Sequence, residues 1–319
     1  MRIAVIGAGG VGGLYGGLLA RAGHEVVFLA RGAQLAAITA NGLEVRSAEL
    51  GTFHISAAAA SNDPNDLGQT ELVLVTVKTY DLEAALPAAA QLRAPNGSVL
   101  TLQNGLDAPD QVALKVGREH VLIGTTIVEA TILEPGVIGH LSPMHLVTIA
   151  AYEGLPSESV RRTVDVFKAA GINATIADDG HRALWEKAAP LIPLATLTSM
   201  CQAPIGPIRE LPHTRALMET LVQELVDVAS ACGQPLPEEP QRALAQLNRI
   251  PPTMKASMAR DFERGGRTEL EALTGAVVRL ADEHQVDVPA TRTAYAVLEL
   301  RERQAAGERE GVGAAAAAQ

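Results

Sequence analysis

Over the first 180 positions the apolar residues come in short runs broken by polar or glycine-rich turns, whereas beyond residue 181 they recur every three or four positions. The first spacing predicts strands alternating with helices, and the second predicts helices alone. Residues 2–6 are a β-branched run, a small-residue helical pattern continues to about residue 22, and 25–30 is a second strand. Short strands at 43–45 and 52–55 flank Gly51, with no pairing readable from their pattern. Residues 72–77 are continuously apolar, as a central parallel strand covered on both faces must be. A helix over 82–92 tolerates Pro87, and 98–103 is the next strand. Strands at 121–128, 136–140 and 146–149 follow, with Glu134, Pro135 and Gly136 as a turn. A helix over 157–170 opens at a capping serine and stops before Gly171, and a last strand covers 173–177.

Asp178, Asp179 and Gly180 mark the predicted boundary. Helices are then predicted at 181–200, 207–232, 238–249, 253–263, 268–285 and 289–305, with Pro190 and Pro193 expected to kink or interrupt the first. The expected class is α/β: an N-terminal Rossmann-type doubly wound sheet over 1–179, an all-α C-terminal domain over 180–305, and a disordered, low-complexity tail over 306–319.

The opening strand, turn and helix carry the first chemistry. Gly7, Gly9 and Gly12 stand at G-x-G-x-x-G spacing, and together with Gly10 and Val11 they are the predicted cofactor contacts. Gly7 permits the tight turn, Gly9 lets the backbone approach a pyrophosphate, and Gly12 with Gly16 lets the helix lie close to the sheet. The second strand ends in Arg31, where an NAD site usually has a carboxylate for the ribose hydroxyl. A guanidinium there suits a 2′-phosphate, so the predicted cofactor is NADP(H).

Lys78 and Asn104 both follow the carboxyl ends of predicted parallel strands, the edge at which open α/β sheets hold ligands. A solvated lysine and a turn asparagine before glycine would fit the same positions. In the first helix of the second half, Lys187 lies on the apolar face made by Leu184, Ala188, Leu191 and Ala195. An inward ammonium must meet a carboxylate or line a cavity, for which a cleft between the two domains is expected, unless its stem covers apolar surface and its head reaches water. Thr268 to Glu271 has capping-box form, with Thr268 as the cap and Glu271 reaching back. For Glu269 two placements stay open, one pointing inward and one simply complementing the helix dipole.

Composition narrows the function. The formal charge of −10 argues against nucleic acid or an anionic membrane surface as partner. Cys201 and Cys232 match neither a disulfide framework nor a metal spacing, and no metal is expected. With no signal peptide pattern and no apolar run of spanning length, the expected compartment is the cytoplasm.

The chain resembles the ketopantoate reductases of the 6-phosphogluconate dehydrogenase-like superfamily over about residues 1–303. The likeness rests on GAGGVGG with Arg31, VTVKTYD at Lys78, LQNG at Asn104, GTTIVEATILEPGVIGH, LWEK at Lys187, and SMARD followed by RTELEALTG at Ser257 and Glu269. It implies NADPH-dependent reduction of a small 2-oxo acid, 2-dehydropantoate first among them. Lys187 matches the catalytic lysine, and Glu269 the carboxylate that partners it and binds the substrate hydroxyl. Ser257 matches a serine contacting the substrate carboxylate. Lys78 and Asn104 match residues beside the nicotinamide, Asn104 also facing the substrate. Asparagines typical of the family four and eight positions past the lysine are here Leu191 and Ala195. Reduction of a more apolar oxo acid, an opine-type dehydrogenase and a non-catalytic NADP(H)-binding regulator stay open as alternatives, and so does a homodimer.

Overall fold

The computed structural model describes residues 1–56 and 58–317. Its elements run in the order β1 (Arg2–Ile6), α1 (Gly10–Arg21), β2 (Glu25–Leu29), α2 (Gly32–Asn41), β3 (Leu43–Ser47), β4 (Phe53–Ile55), β5 (Ala59–Ser61), β6 (Thr70–Val75), α3 (Leu82–Leu92), β7 (Arg93–Thr101), α4 (Ala108–Val116), β8 (Val121–Glu134), β9 (Val137–Ala151), α5 (Glu158–Ala169) and β10 (Asn173–Ile176). Helices follow: α6 (Gly180–Met200), α7 (Ile205–Glu210), α8 (Pro212–Ala231), α9 (Glu239–Arg249), α10 (Ser257–Glu263), α11 (Ala276–His284) and α12 (Pro289–Ala317). The tail expected from residue 306 begins within the span of α12, and Ala318 and Gln319 lie outside the described residues.

Residues divide into two compact units, one of Met1–Gln103 with Asp107–Ala183, the other of Asn104–Leu106 with Leu184 onward. In the first, the strand order is β4-β3-β9-β8-β7-β6-β1-β2-β5, and β10 also pairs with β9. β2, β1, β6, β7 and β8 are parallel. Alternate residues of each central strand serve opposite cores: Ile3 and Val5 join Leu14, Tyr15, Phe28 and Leu74, while Ala4 and Ile6 join Val73, Val75, Leu82 and Val99. That two-sided burial is why these strands read as unbroken apolar runs. β1 has β2 on one side and β6 on the other, so the chain leaves the sheet in opposite directions at the ends of β1 and β6, the kind of switch point at which open α/β sheets hold their ligands.

Three expectations about elements change. The two strands read at 136–140 and 146–149 are one strand, β9, antiparallel to β8. Its register jumps between the pairs Val128↔His145 and Ala130↔His140, so residues 141–144, which include Pro143, bulge out opposite Glu129. A proline without an N–H is tolerated there because a bulge has no ladder bond to lose. The predicted helix at 207–232 is broken at Leu211, whose extended backbone precedes Pro212. Conversely α6 is one helix despite Pro190 and Pro193, for its buried surroundings hold the chain helical where propensity would release it. Among the described residues no helix is long and apolar enough to cross a membrane.

Candidate functional site

In the first unit the glycine turn has the predicted shape. Gly7 has φ +99° and its N–H donates to Leu29 O at 3.0 Å, closing β1 onto β2. A Cβ on Gly12 would stand 2.1 Å from Gly7 O and 2.3 Å from Thr76 Oγ1, so only glycine lets α1 start this close to the sheet. Beside Gly9, by contrast, nothing lies within 4 Å of the Cβ direction, and α1 has no side-chain cap. The first-turn N–H groups of α1 therefore have an open approach, which fits a pyrophosphate. Gly10 is closed on its own Cβ side, where an added carbon would meet Ala130 O of β8 at 2.2 Å. Val11, part-buried, is the next residue of α1.

Two supports of this turn are missing from the sequence reading. Thr76 Oγ1 stands within hydrogen-bond range of both Ile6 O and Gly7 O, at 3.0 and 2.8 Å. Gln34 donates to Ala8 O at 2.8 Å while its own oxygen accepts from Gly136 N at 3.0 Å. A hydroxyl directly after an apolar strand is the available signal for Thr76; nothing local marks Gln34. Arg31 precedes α2 with its side chain 80% exposed and reaches Asp81 at 2.5 Å. An exposed pair of this kind contributes little, so the guanidinium can turn to a phosphate at small cost. Lys78 is part-buried, just past β6, and its carbonyl accepts from Asp81 N at 2.9 Å across a short 3-10 turn.

In the second unit, Lys187, Asn104 and Glu269 come together. Asn104 belongs to this unit although it follows β7 closely in the chain. Lys187 Nζ donates to Asn104 Oδ1 at 2.8 Å. Desolvation pulls the ammonium pKa down from 10.5 to about 8, and the opposing pull is the charge of Glu269. Glu269 is itself only 5% exposed. An ammonium has three N–H groups, and Asn104 takes one. Leu191 and Ala195 lie about one and two turns further along α6, Ala195 fully buried and Leu191 part-buried. Ser257 is exposed and opens α10, preceded by Ala256, whose N–H donates to Thr198 Oγ1 at 3.4 Å.

The capping box is completed by a different residue from the one expected. Thr268 Oγ1 accepts from Leu270 N at 3.2 Å. The carboxylate that takes the Thr268 N–H is Glu302 of α12, at 2.9 Å, which also accepts from the threonine hydroxyl at 2.6 Å. Glu271 instead accepts from Tyr295 at 2.5 Å. Residues Glu271–Gly275 form a π turn, and α12 supplies both the carboxylate at Thr268 and the tyrosine at Glu271.

A family model described as ketopantoate reductase PanE/ApbA matches residues 3–154, and one described as its C-terminal part matches 179–302. The chain belongs to the ketopantoate reductase family. The 2-dehydropantoate 2-reductase of Halobacterium salinarum is 33% identical over 304 residues, covering 95% of this chain and 99% of the relative. The crystal structure of a PanE/ApbA family ketopantoate reductase from Ralstonia eutropha superposes with a TM-score of 0.88 at 31% identity, over 96% of this chain and 99% of that one. A D-mandelate dehydrogenase solved with NADH and anilino(oxo)acetate shares the fold, with a TM-score of 0.87 at 21% identity over 96% of this chain and 99% of its own. As a member of the ketopantoate reductase family the chain is an NADP-dependent oxidoreductase acting on CH–OH groups.

Proposed function

We propose that the chain catalyses the NADPH-dependent reduction of a 2-oxo acid to the 2-hydroxy acid, 2-dehydropantoate to pantoate before others, with Lys187 as general acid. The observation that carries this reading is the desolvated Lys187 ammonium, held by Asn104 and matched by the charge of Glu269. NADPH, when bound, supplies a hydride to the carbonyl carbon. Gly7, Gly9, Gly10, Val11 and Gly12 would hold its pyrophosphate at the start of α1, Arg31 would take the 2′-phosphate, and Lys78 and Asn104 would be its nicotinamide contacts.

With one N–H on Asn104, Lys187 has others for the carbonyl oxygen of the substrate. Its proton passes from Nζ to that oxygen as negative charge develops there, leaving a neutral amine and a new hydroxyl. Glu269 keeps the lysine charged until that moment and accepts from the substrate hydroxyl. Ser257 offers its hydroxyl to the substrate carboxylate, and Asn104 fixes both the lysine and the substrate.

Leu191 and Ala195 favour a second reading, a 2-oxo acid with a more apolar side chain. Neither offers a hydrogen bond to a substrate hydroxyl, and discrimination for a hydroxyl depends on buried polar partners. A panel of 2-dehydropantoate with branched-chain and aryl 2-oxo acids, followed at the NADPH absorbance band, tests both. The highest kcat/KM on 2-dehydropantoate supports the first reading, and a higher value on an aliphatic or aryl acid the second. No turnover of any member would overturn the reductase assignment.

A further inference from the structure

The π turn Glu271–Gly275, which begins two residues after Glu269, has no chemical part in this reaction, yet three other parts of the second unit fasten to it. Gly275 N–H donates to Leu270 O, five residues back, at 2.9 Å. Ala272 N and Leu273 N both donate to Glu269 O, at 3.2 and 3.1 Å, so the turn grips the backbone of the carboxylate whose charge acts on Lys187. One residue more than an α-helical turn holds rotates Glu269 by about 100° relative to the residues of α11.

The first fastener is Gly105. It has φ +98°, and a Cβ on it would stand 2.5 Å from Ala272 O, so the turn that carries Asn104 lies directly against the backbone of the π turn. The second is a pair of buried hydroxyls, Thr274 Oγ1 and Thr196 Oγ1 at 2.8 Å, which ties the π turn to α6, the helix of Lys187. The third is Tyr295 of α12, whose hydroxyl donates to Glu271.

We infer that the π turn sets Asn104 and Glu269 about the Lys187 ammonium, with Gly105 and Thr274 as positioning residues for the proposed reaction. The inference rests on Lys187 as general acid and says what aims it. A methyl group at position 105 must push the Asn104 turn away from Ala272, and a shift of about 1 Å takes a 2.8 Å hydrogen bond out of range. A displaced acceptor and a displaced carboxylate both favour the charged lysine less, so its pKa falls further.

The test uses the full chain with lysine labelled at 13Cε. There are five lysines, and Lys187→Met assigns the resonance of interest. In the wild type the Lys187 signal should titrate well below the ordinary lysine range, near pH 8. In Gly105→Ala and Thr274→Val it moves down by about half a unit or more, and kcat falls about ten- to hundredfold. Thr274→Ser, which keeps the hydroxyl, restores both. Tyr295→Phe removes only a part-exposed fastener, leaves the core intact, and gives a smaller shift in the same direction.

Variants that bind NADPH normally yet keep the wild-type titration and kcat overturn the inference. A drop in melting temperature with no change in the titration does so as well, because it reduces the π turn to a structural element. Should Lys187→Ala retain kcat, the general-acid reading fails, while the titration still reports on positioning.

Discussion

Lys187 carries two opposing pressures in one side chain. Removal from water disfavours its charge, and the Glu269 carboxylate restores part of it, leaving a pKa of about 8 where the ordinary value is 10.5. A group so placed is mostly protonated at neutral pH yet gives up its proton readily, as a general acid should. Since only the protonated form donates, kcat for reduction should be flat on the acid side of this group and fall as pH rises through about 8. The reverse oxidation needs the neutral amine and should rise over the same interval. Lys187→Ala should lower kcat by about 10² to 10⁴ with NADPH binding nearly intact, measured by steady-state kinetics and fluorescence titration. Arg31→Ala should raise the Kd for NADPH about ten- to hundredfold and leave NADH almost unaffected, because only the former carries the 2′-phosphate. Equal losses for both cofactors would remove Arg31 from phosphate recognition. Both side chains stand out in the sequence, one as a charge on an apolar helical face and the other as a cation where a carboxylate is usual. Asp81, the partner of Arg31, does not, because a pairing across 50 residues has no local signature.

Among the helices and strands, strong local signals give the right element. Ser157 caps α5 by accepting from Val160 N at 3.3 Å, as a serine ahead of an amphipathic run should. Sequence and structure part where a distant group overrides the local rule: Glu302 replaces Glu271 at Thr268, and pairing with β8 carries β9 past Pro143. α12 is another case, because it begins on a carboxylate supplied by α8. Glu224 accepts from Ala290 N at 2.9 Å, from Thr291 N at 2.8 Å and from the Thr291 hydroxyl at 2.6 Å. It is only 6% exposed, so Glu224→Ala would leave these donors short of partners and should destabilise the chain by about 2–4 kcal/mol. Urea unfolding measures this, and a loss below about 0.5 kcal/mol would show that water or a neighbour replaces the carboxylate.

Taken end to end, the chain does not divide at a single point. Asn104–Leu106 belongs with the helical unit, although the residues on both sides of it belong with the sheet. A fragment of residues 184–319 therefore lacks the acceptor of Lys187 and the backbone that covers Ala272. Expressed alone, it should unfold at lower urea concentration than the full chain when helix content is followed by circular dichroism. Equal midpoints would show that the three residues contribute nothing to that unit.

The strand, turn and helix order of the first half, the helical second half, the glycine turn and the residue types at the strand ends are all legible in the bare sequence. Those features are encoded in periodicity, propensity and spacing among neighbours a few positions apart. Folding in three dimensions had to add that Asn104 meets Lys187 across 83 residues, that Glu269 supplies the opposing charge, and that a π turn rather than a capping box follows it. Which acceptor meets a part-buried ammonium depends on how distant elements pack against one another, and no pattern within a single helix or strand contains that information.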